Sequence, residues 1–308
     1  MMVSAPLTLV ETAMMLRKEY QRLMLYAHWS QVGLLILISL TALWSPTLES
    51  FIYAMVMWSL IRFSYLVFFI IGKNIGSLNI KKLSGFLVFS LPLMVNMLLG
   101  SAMDIIDGTL VSHFFSAEYF PVFRYGAREL PLSGLLFSSL SAAMIPVLIS
   151  NGLSDGRIKE RVTALMHFLF PITILLMWLS PFLFPIFYDA AFKESAYIFN
   201  IYLLLLCSRV LLPQSYNFAL HQHKIVIFSS IIEILFNVVL SLWWVKIWGI
   251  QGLAMATVVS YFIQKIILIA YNKHCNNIPL HQYLDVKKYL FYSLLTLISF
   301  VLTLQFMQ

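Results

Sequence analysis

Charge is what this chain has least of. Only 11% of its 308 residues are Asp, Glu, Lys or Arg, whereas a soluble domain carries about a quarter, so a water-soluble fold is excluded at the outset. Cysteine is nearly absent as well. Cys207 lies in an apolar run and Cys275 in a basic loop, which rules out a disulfide framework and a zinc site and leaves two free thiols. No glycine-rich phosphate loop, Walker pattern or Ser/His/Asp set is recognisable, so ATP hydrolysis and triad catalysis are not expected. His221 and His223 stand two apart at a helix end, a spacing that does not put both rings on one helical face, so no metal is expected there. No cofactor is implied. Long polar connections are missing too: the longest runs from Asn272 to Lys288. The opening residues do not follow the order of basic start, apolar core and small-residue cleavage site. Insertion is therefore expected to rely on the spans themselves.

What the chain has in abundance is apolar surface. Hydrophobic residues make up 61% and the mean hydropathy is +0.87, so the chain belongs in a bilayer, where about 20 apolar residues cross the hydrocarbon core. Nine runs are long enough or nearly so: Leu23–Trp44, Phe51–Ile71, Gly85–Ser112, Glu118–Ser150, Val162–Tyr188, Ala196–Leu220, Ile225–Trp248, Leu253–Tyr271 and Tyr289–Leu304. All are expected to be helical, because lipid leaves an open strand edge unsatisfied. The fold class is thus an all-α polytopic membrane bundle of about nine helices. A shorter stretch, Val3–Leu16, reads either as an interfacial helix or as the tail of a preceding span.

Charge placement tests this count. With the amino terminus inside, thirteen Lys and Arg residues fall at inner ends and loops, namely Arg17, Lys18, Arg22, Lys73, Lys81, Lys82, Arg157, Lys159, Arg161, Lys224, Lys273, Lys287 and Lys288. Only Lys193 and Lys246 fall outside. Basic residues concentrate on the cytoplasmic side, so the alternation supports the count and places the carboxyl terminus outside. Orientation also accounts for the net charge of +7, and no nucleic-acid partner is implied.

The informative residues are charges inside the spans, which are costly and usually face a pathway or cavity. Asp104 and Asp107, three apart, share a helix face; Arg124 and Arg128, four apart, are expected to share a face at a similar depth of the next helix. Their meeting has two readings. In one, ion pairs lock the two helices together; in the other, Arg128 faces an aqueous cavity and binds anionic oxygens, for which a planar guanidinium is suited. Arg209 sits four residues before Pro213, and Glu233 lies mid-span with Asn237 one turn on. Glu233 either binds a proton or sodium ion or pairs with Lys265 or Arg209. Lys265 is expected to extend toward the Lys273 end, and Arg62 toward Lys73.

These residues sit in a pattern that resembles a family. Ser90–Leu93 opening a span that closes on Ile106–Ser112, then Ala127, Arg128, Glu129, Leu130, Pro131 and Met144, Ile145, Pro146, resemble the seventh and eighth helices of polysaccharide flippases of O-antigen type in the MOP exporter superfamily, related to lipid II flippases. Trp248–Thr257 resembles the glycine turn between the eleventh and twelfth. The resemblance implies a six-helix second lobe over residues 83–272, the end of a first lobe over 1–82, and an extra helix over 273–308. It implies flipping of a polyprenyl-pyrophosphate-linked oligosaccharide across the bacterial inner membrane for cell-surface polysaccharide synthesis, with no enzyme activity. The partners implied are that lipid-linked oligosaccharide, the membrane lipids, and a missing first lobe or second subunit. Arg124, Arg128 and Arg209 would meet the pyrophosphate; Asp104, Asp107 or Glu233 would couple proton or sodium flow to lobe rocking. A drug exporter of the related multidrug group is the nearest rival, but its cationic cargo favours acidic cavities and the deep charges here lean cationic. A glycan-modifying membrane enzyme is the other, but enzymes of that kind tend to carry a long external loop that this chain does not show.

Overall fold

A computed structural model of the chain describes residues 14, 19–72, 95, 98–100, 102–130, 133–151, 156–189 and 192–307. Most of the Val3–Leu16 stub, the Lys73, Lys81 and Lys82 cluster, the Ser90–Leu93 opening and Pro131 lie outside the described residues. The chain divides into two units, Met1–Leu83 and Ser84–Gln308.

The first unit is a helical hairpin of α1 (Tyr20–Trp44) and α2 (Leu48–Gly72). At 25 residues each, the helices rise roughly 37 Å, enough to cross the hydrocarbon core. Thr47 starts α2, its Oγ1 accepting the Ser50 amide at 3.3 Å, which satisfies one of the donors a helix start leaves open. Aromatic residues join the helices: Trp29 meets Trp58 at 5.2 Å, Tyr26 stacks on Tyr65 at 5.2 Å, and the Trp58 indole N–H donates to the Ser30 carbonyl at 3.1 Å. The Arg62 guanidinium lies over the Tyr26 ring at 5.9 Å, so its charge faces the partner helix.

The second unit begins with the helical residues 102–114 (α3). The expected single span Glu118–Ser150 is instead two helices, α4 (Tyr119–Gly126) and α5 (Ser133–Asn151). Ala127 leaves helical geometry with ψ at 57°, and the next described residues, Arg128–Leu130, are irregular. α6 (Gly156–Phe187) is continuous through Pro171, Pro181 and Pro185. The next span is broken into α7 (Lys193–Leu203), α8 (Leu205–Arg209) and α9 (Pro213–Ala219), with a 45° bend before α9. Pro213 explains the break: it lacks an amide proton and disfavours helix at the residue before it, and Leu212 sits at φ −99°, ψ 44°.

The segment His223–Cys275 is 53 residues long and interrupted at Gly249, giving α10 (223–248) and α11 (250–275). Gly249 has φ +59°, a left-handed position that glycine adopts without a Cβ penalty. The arms then run antiparallel: Asn237 bonds Thr257 and Ser230 bonds Gln264, pairs centred on the same point. Gly252 permits the close approach, since a Cβ there would strike the Trp244 carbonyl. α12 (Val286–Met307) packs along α6, where Tyr292 accepts or donates a 2.6 Å bond with His167 and stacks on Phe170.

Among the described residues, five helices are long and apolar enough to span, or six with the bent pair α7–α9. Separating α10 from α11 makes seven. Within the Gly85–Ser112 span residues 95, 98–100 and 102–112 are helical, and the rest lies outside the described residues.

Candidate functional site

A cavity lies between α5 and the α8–α9 break of the second unit. Its volume is about 540 Å³. One wall is α5, which contributes Gly134, Phe137, Ser138, Ser141, Ala142, Ile145 and Ile149, a three-to-four-residue spacing that defines a single helix face. Small residues there let the opposite wall come near: Ser141 and Ser215 share a 2.6 Å hydroxyl bond. That opposite wall is Leu212, Gln214 and Phe218, with His221 and His223 beyond them and Arg209 and Lys265 as its cations.

Arg209 is held by a carboxylate that the sequence reading carried without a role. Its Nε donates to Glu129 Oε2 at 3.0 Å, and a terminal nitrogen donates to Glu129 Oε1, a bidentate pair of the strong kind. Tyr261 completes the setting, its ring centroid 4.7 Å from the guanidinium carbon. The pair closes the gap between the α4–α5 break and the α8–α9 break, so two weak points in the backbone are tied by their own side chains. Lys265 does not extend toward Lys273 as the sequence suggested. It is 3% exposed and its ammonium donates to Gln214 Oε1 at 2.7 Å. Glu233 is buried and within electrostatic reach of Lys265 and Arg209, yet among the described residues it forms no ion pair with either.

Arg124 and Arg128 occupy different surroundings. Helix α4 ends at Gly126, so the expected common face does not exist, and Arg128 is exposed on the irregular segment. Arg124 lines a narrow space with Asp104, Asp107, Phe123 and Tyr202, which brings it near both acids. Asp104 is exposed and Asp107 buried.

Asp107 anchors a second polar site. Its Oδ2 accepts from the Thr257 hydroxyl at 2.8 Å and the Tyr202 hydroxyl at 3.1 Å, and Asn237 donates to Thr257 at 3.0 Å. Three oxygens around this network are buried without a hydrogen-bond partner: Asp107 Oδ1, Asn237 Oδ1 and Ser241 Oγ. Asn237 and Ser241 lie four apart on one face of α10. No cluster of three or more His, Cys, Asp or Glu residues suited to a metal occurs among the described residues, and Cys207 and Cys275 are free.

Comparison with known proteins places this arrangement. The chain is similar to a solved lipid II flippase MurJ in an inward closed conformation, with 21% identity and a TM-score of 0.64 over 90% of this chain and 59% of that one. A MOP superfamily transporter from Pyrococcus furiosus aligns with 19% identity and a TM-score of 0.48 over 70% of this chain and 51% of that one. The chain thus spans less than two thirds of the length of these structures. No curated protein matches it significantly. The family model described as lipid II flippase MurJ matches residues 49–307, a family of multi-pass membrane transporters and not of enzymes. On that match, which covers both helix breaks, the cavity and the Asp107 network, the chain belongs to the lipid II flippase MurJ family.

Proposed function

We propose that the chain forms the second lobe of a flippase for a polyprenyl-pyrophosphate-linked saccharide in the bacterial inner membrane, with its amino terminus inside. The observation that carries the reading is the family match over residues 49–307. It is supported by a cavity with an apolar α5 wall and two cations, Arg209 and Lys265, a polarity suited to a lipid with an anionic head. A first lobe, in a longer chain or a second subunit, completes the pathway, because the chain corresponds to only 59% of the similar flippase. The residue ranges 1–82, 83–272 and 273–308 are then the end of the first lobe, the second lobe and an appended helix. Arg124 and Arg128 meet the pyrophosphate at the lobe surface, while Arg209, engaged by Glu129, keeps a cationic edge on the cavity wall. The family match favours a lipid II type of cargo. An O-antigen type oligosaccharide is the second reading, favoured by the motifs at Ile106–Ser112, Ala127–Pro131 and Trp248–Thr257.

Coupling is assigned first to Asp107, ahead of Asp104 and Glu233. One carboxylate with partnerless neutral oxygens from Asn237 and Ser241 is a donor set suited to a proton or a single monovalent cation inside a membrane. Both assignments are tested in a strain depleted of its own precursor flippase and supplied with this chain and a first lobe. Arg128→Ala, at an exposed position, is expected to lower the lipid-linked precursor reaching the outer leaflet at least about tenfold, the order of one lost charge-assisted bond. Asp107→Asn is expected to remove any dependence on an imposed sodium or proton gradient. Labelling of the outer-leaflet lipid separates the cargoes by their sugar and peptide content. Normal transport by Arg128→Ala returns that residue to the surface without a role.

A further inference from the structure

We infer that Lys265, with Gln214 and His223, is the seat of a phosphate-headed amphiphile inside the second unit's own cavity, with Phe137, Ile145 and Ile149 as the wall for its tail. The inference rests on the transporter reading and moves the anion contact from arginine to lysine.

The four deep charges around the cavity explain the choice. Arg209 has its guanidinium occupied by both oxygens of Glu129, so an incoming phosphate has to displace a carboxylate to reach it. Lys265 is different. Its ammonium has three donors, and among the described residues its one hydrogen bond is to the neutral Gln214 amide. Glu233 acts on Lys265 electrostatically, and among the described residues no ion pair joins the two. A lysine 3% exposed, lining a cavity and carrying spare donors, is an expensive arrangement unless an anion completes it. A second group points to the same ligand. His223 lines the cavity, and its Nδ1 is buried with no hydrogen-bond partner. It provides another donor for an anionic oxygen in the tautomer or ionised form that carries a proton there.

The walls narrow the ligand class. Beside the cations, α5 offers Phe137, Ile145 and Ile149 as apolar lining, and Phe218 adds to it. A free inorganic phosphate leaves that surface wet, whereas a lipid covers it. With about 540 Å³, the cavity holds a head group and the first few carbons or isoprene units of a tail, and a longer tail continues outside. Two sources share this chemistry, a prenyl diphosphate and a membrane phospholipid.

The test uses the full chain in nanodiscs of phosphatidylcholine with farnesyl diphosphate as the probe, read by titration calorimetry. Saturable binding is expected. Lys265→Gln keeps an amide in place of the ammonium and is expected to weaken binding about tenfold to a hundredfold, the range for a charged hydrogen bond. Lys265→Arg restores most of it. Ala142→Trp, which fills the cavity without touching a charge, abolishes binding, and Lys246→Gln, at an exposed lysine outside the cavity, leaves it unchanged. Thermal melts equal to the parent show that each variant is folded. Competition by phosphatidylglycerol at equal concentration assigns the seat to a phospholipid, and its failure assigns it to the diphosphate. Undiminished binding in folded Lys265→Gln or Ala142→Trp overturns the site. Intact binding with no transport in the depleted strain overturns the flippase reading and leaves the site standing.

Discussion

The hairpin of the first unit and the bundle of the second are both built from apolar helices, yet they are held in different ways. In α1–α2 the contacts include aromatic faces, an indole hydrogen bond and the Arg62 guanidinium over Tyr26, and both helices leave large hydrophobic residues exposed from Leu25 to Phe68. The second unit buries its polar residues instead: Ser180 and Asn200, Asn217 and Asn272, Asn237 and Thr257 are paired inside. Its helices are also broken where the first unit's are whole. A broken helix in lipid requires its freed backbone and charges to be satisfied by neighbours, and that requirement is what assembles a cavity. Unbroken helices need no such neighbours, and among its described residues the hairpin forms no comparable buried polar centre.

The largest expected separation between the units comes from Glu129→Ala. It strands Arg209 beside the cavity and should cost about 3 kcal/mol, the low end for breaking a buried pair because this one is partly exposed, seen as a fall in thermal midpoint of the detergent-purified chain. Adding Arg209→Met should recover much of the loss. If the single change is silent, the tie between the breaks is not what holds them. Next is Gly252→Ala, whose Cβ meets the Trp244 backbone and is expected to cost about 2 kcal/mol through overpacking and to loosen Asn237 from Thr257. A crosslink yield between cysteines at those two positions that does not change would contradict it. The smallest effect belongs to the hairpin. Trp58→Phe removes the donor to Ser30 and should cost about 1 kcal/mol, with no effect on probe binding to the second unit.

Much of this was legible in the sequence, and for identifiable reasons. Span positions follow from hydropathy, and the turn at Gly249 from a glycine between two apolar runs. Asp104 and Asp107 were picked out together because a carboxylate at membrane depth is rare; the structure buries Asp107 among polar partners and leaves Asp104 exposed. The Arg124–Arg128 face was misjudged because helical spacing was extended through Ala127–Leu130, where Arg128 N–H bonds the Gly126 carbonyl at 2.6 Å in place of a helical partner. Lys265 was misjudged because its distance from Lys273 invited extension to the interface, whereas Gln214, far off in sequence, captures it. Only tertiary pairing reveals that. A local signal for the cavity did exist: the small residues Gly134, Ser138, Ser141 and Ala142 recur on one face of α5.

The reversal at Gly249 fixes more than direction. Thr257, which serves the acid, and Lys265, which serves the cavity, both hang from the arm that follows it. One added residue after the reversal would turn that whole arm by about 100°, swinging both side chains away together. The length of a single bend therefore keeps the buried Asp107 network and the ammonium at the cavity wall in phase, and a lesion there would disconnect both without altering a residue of either.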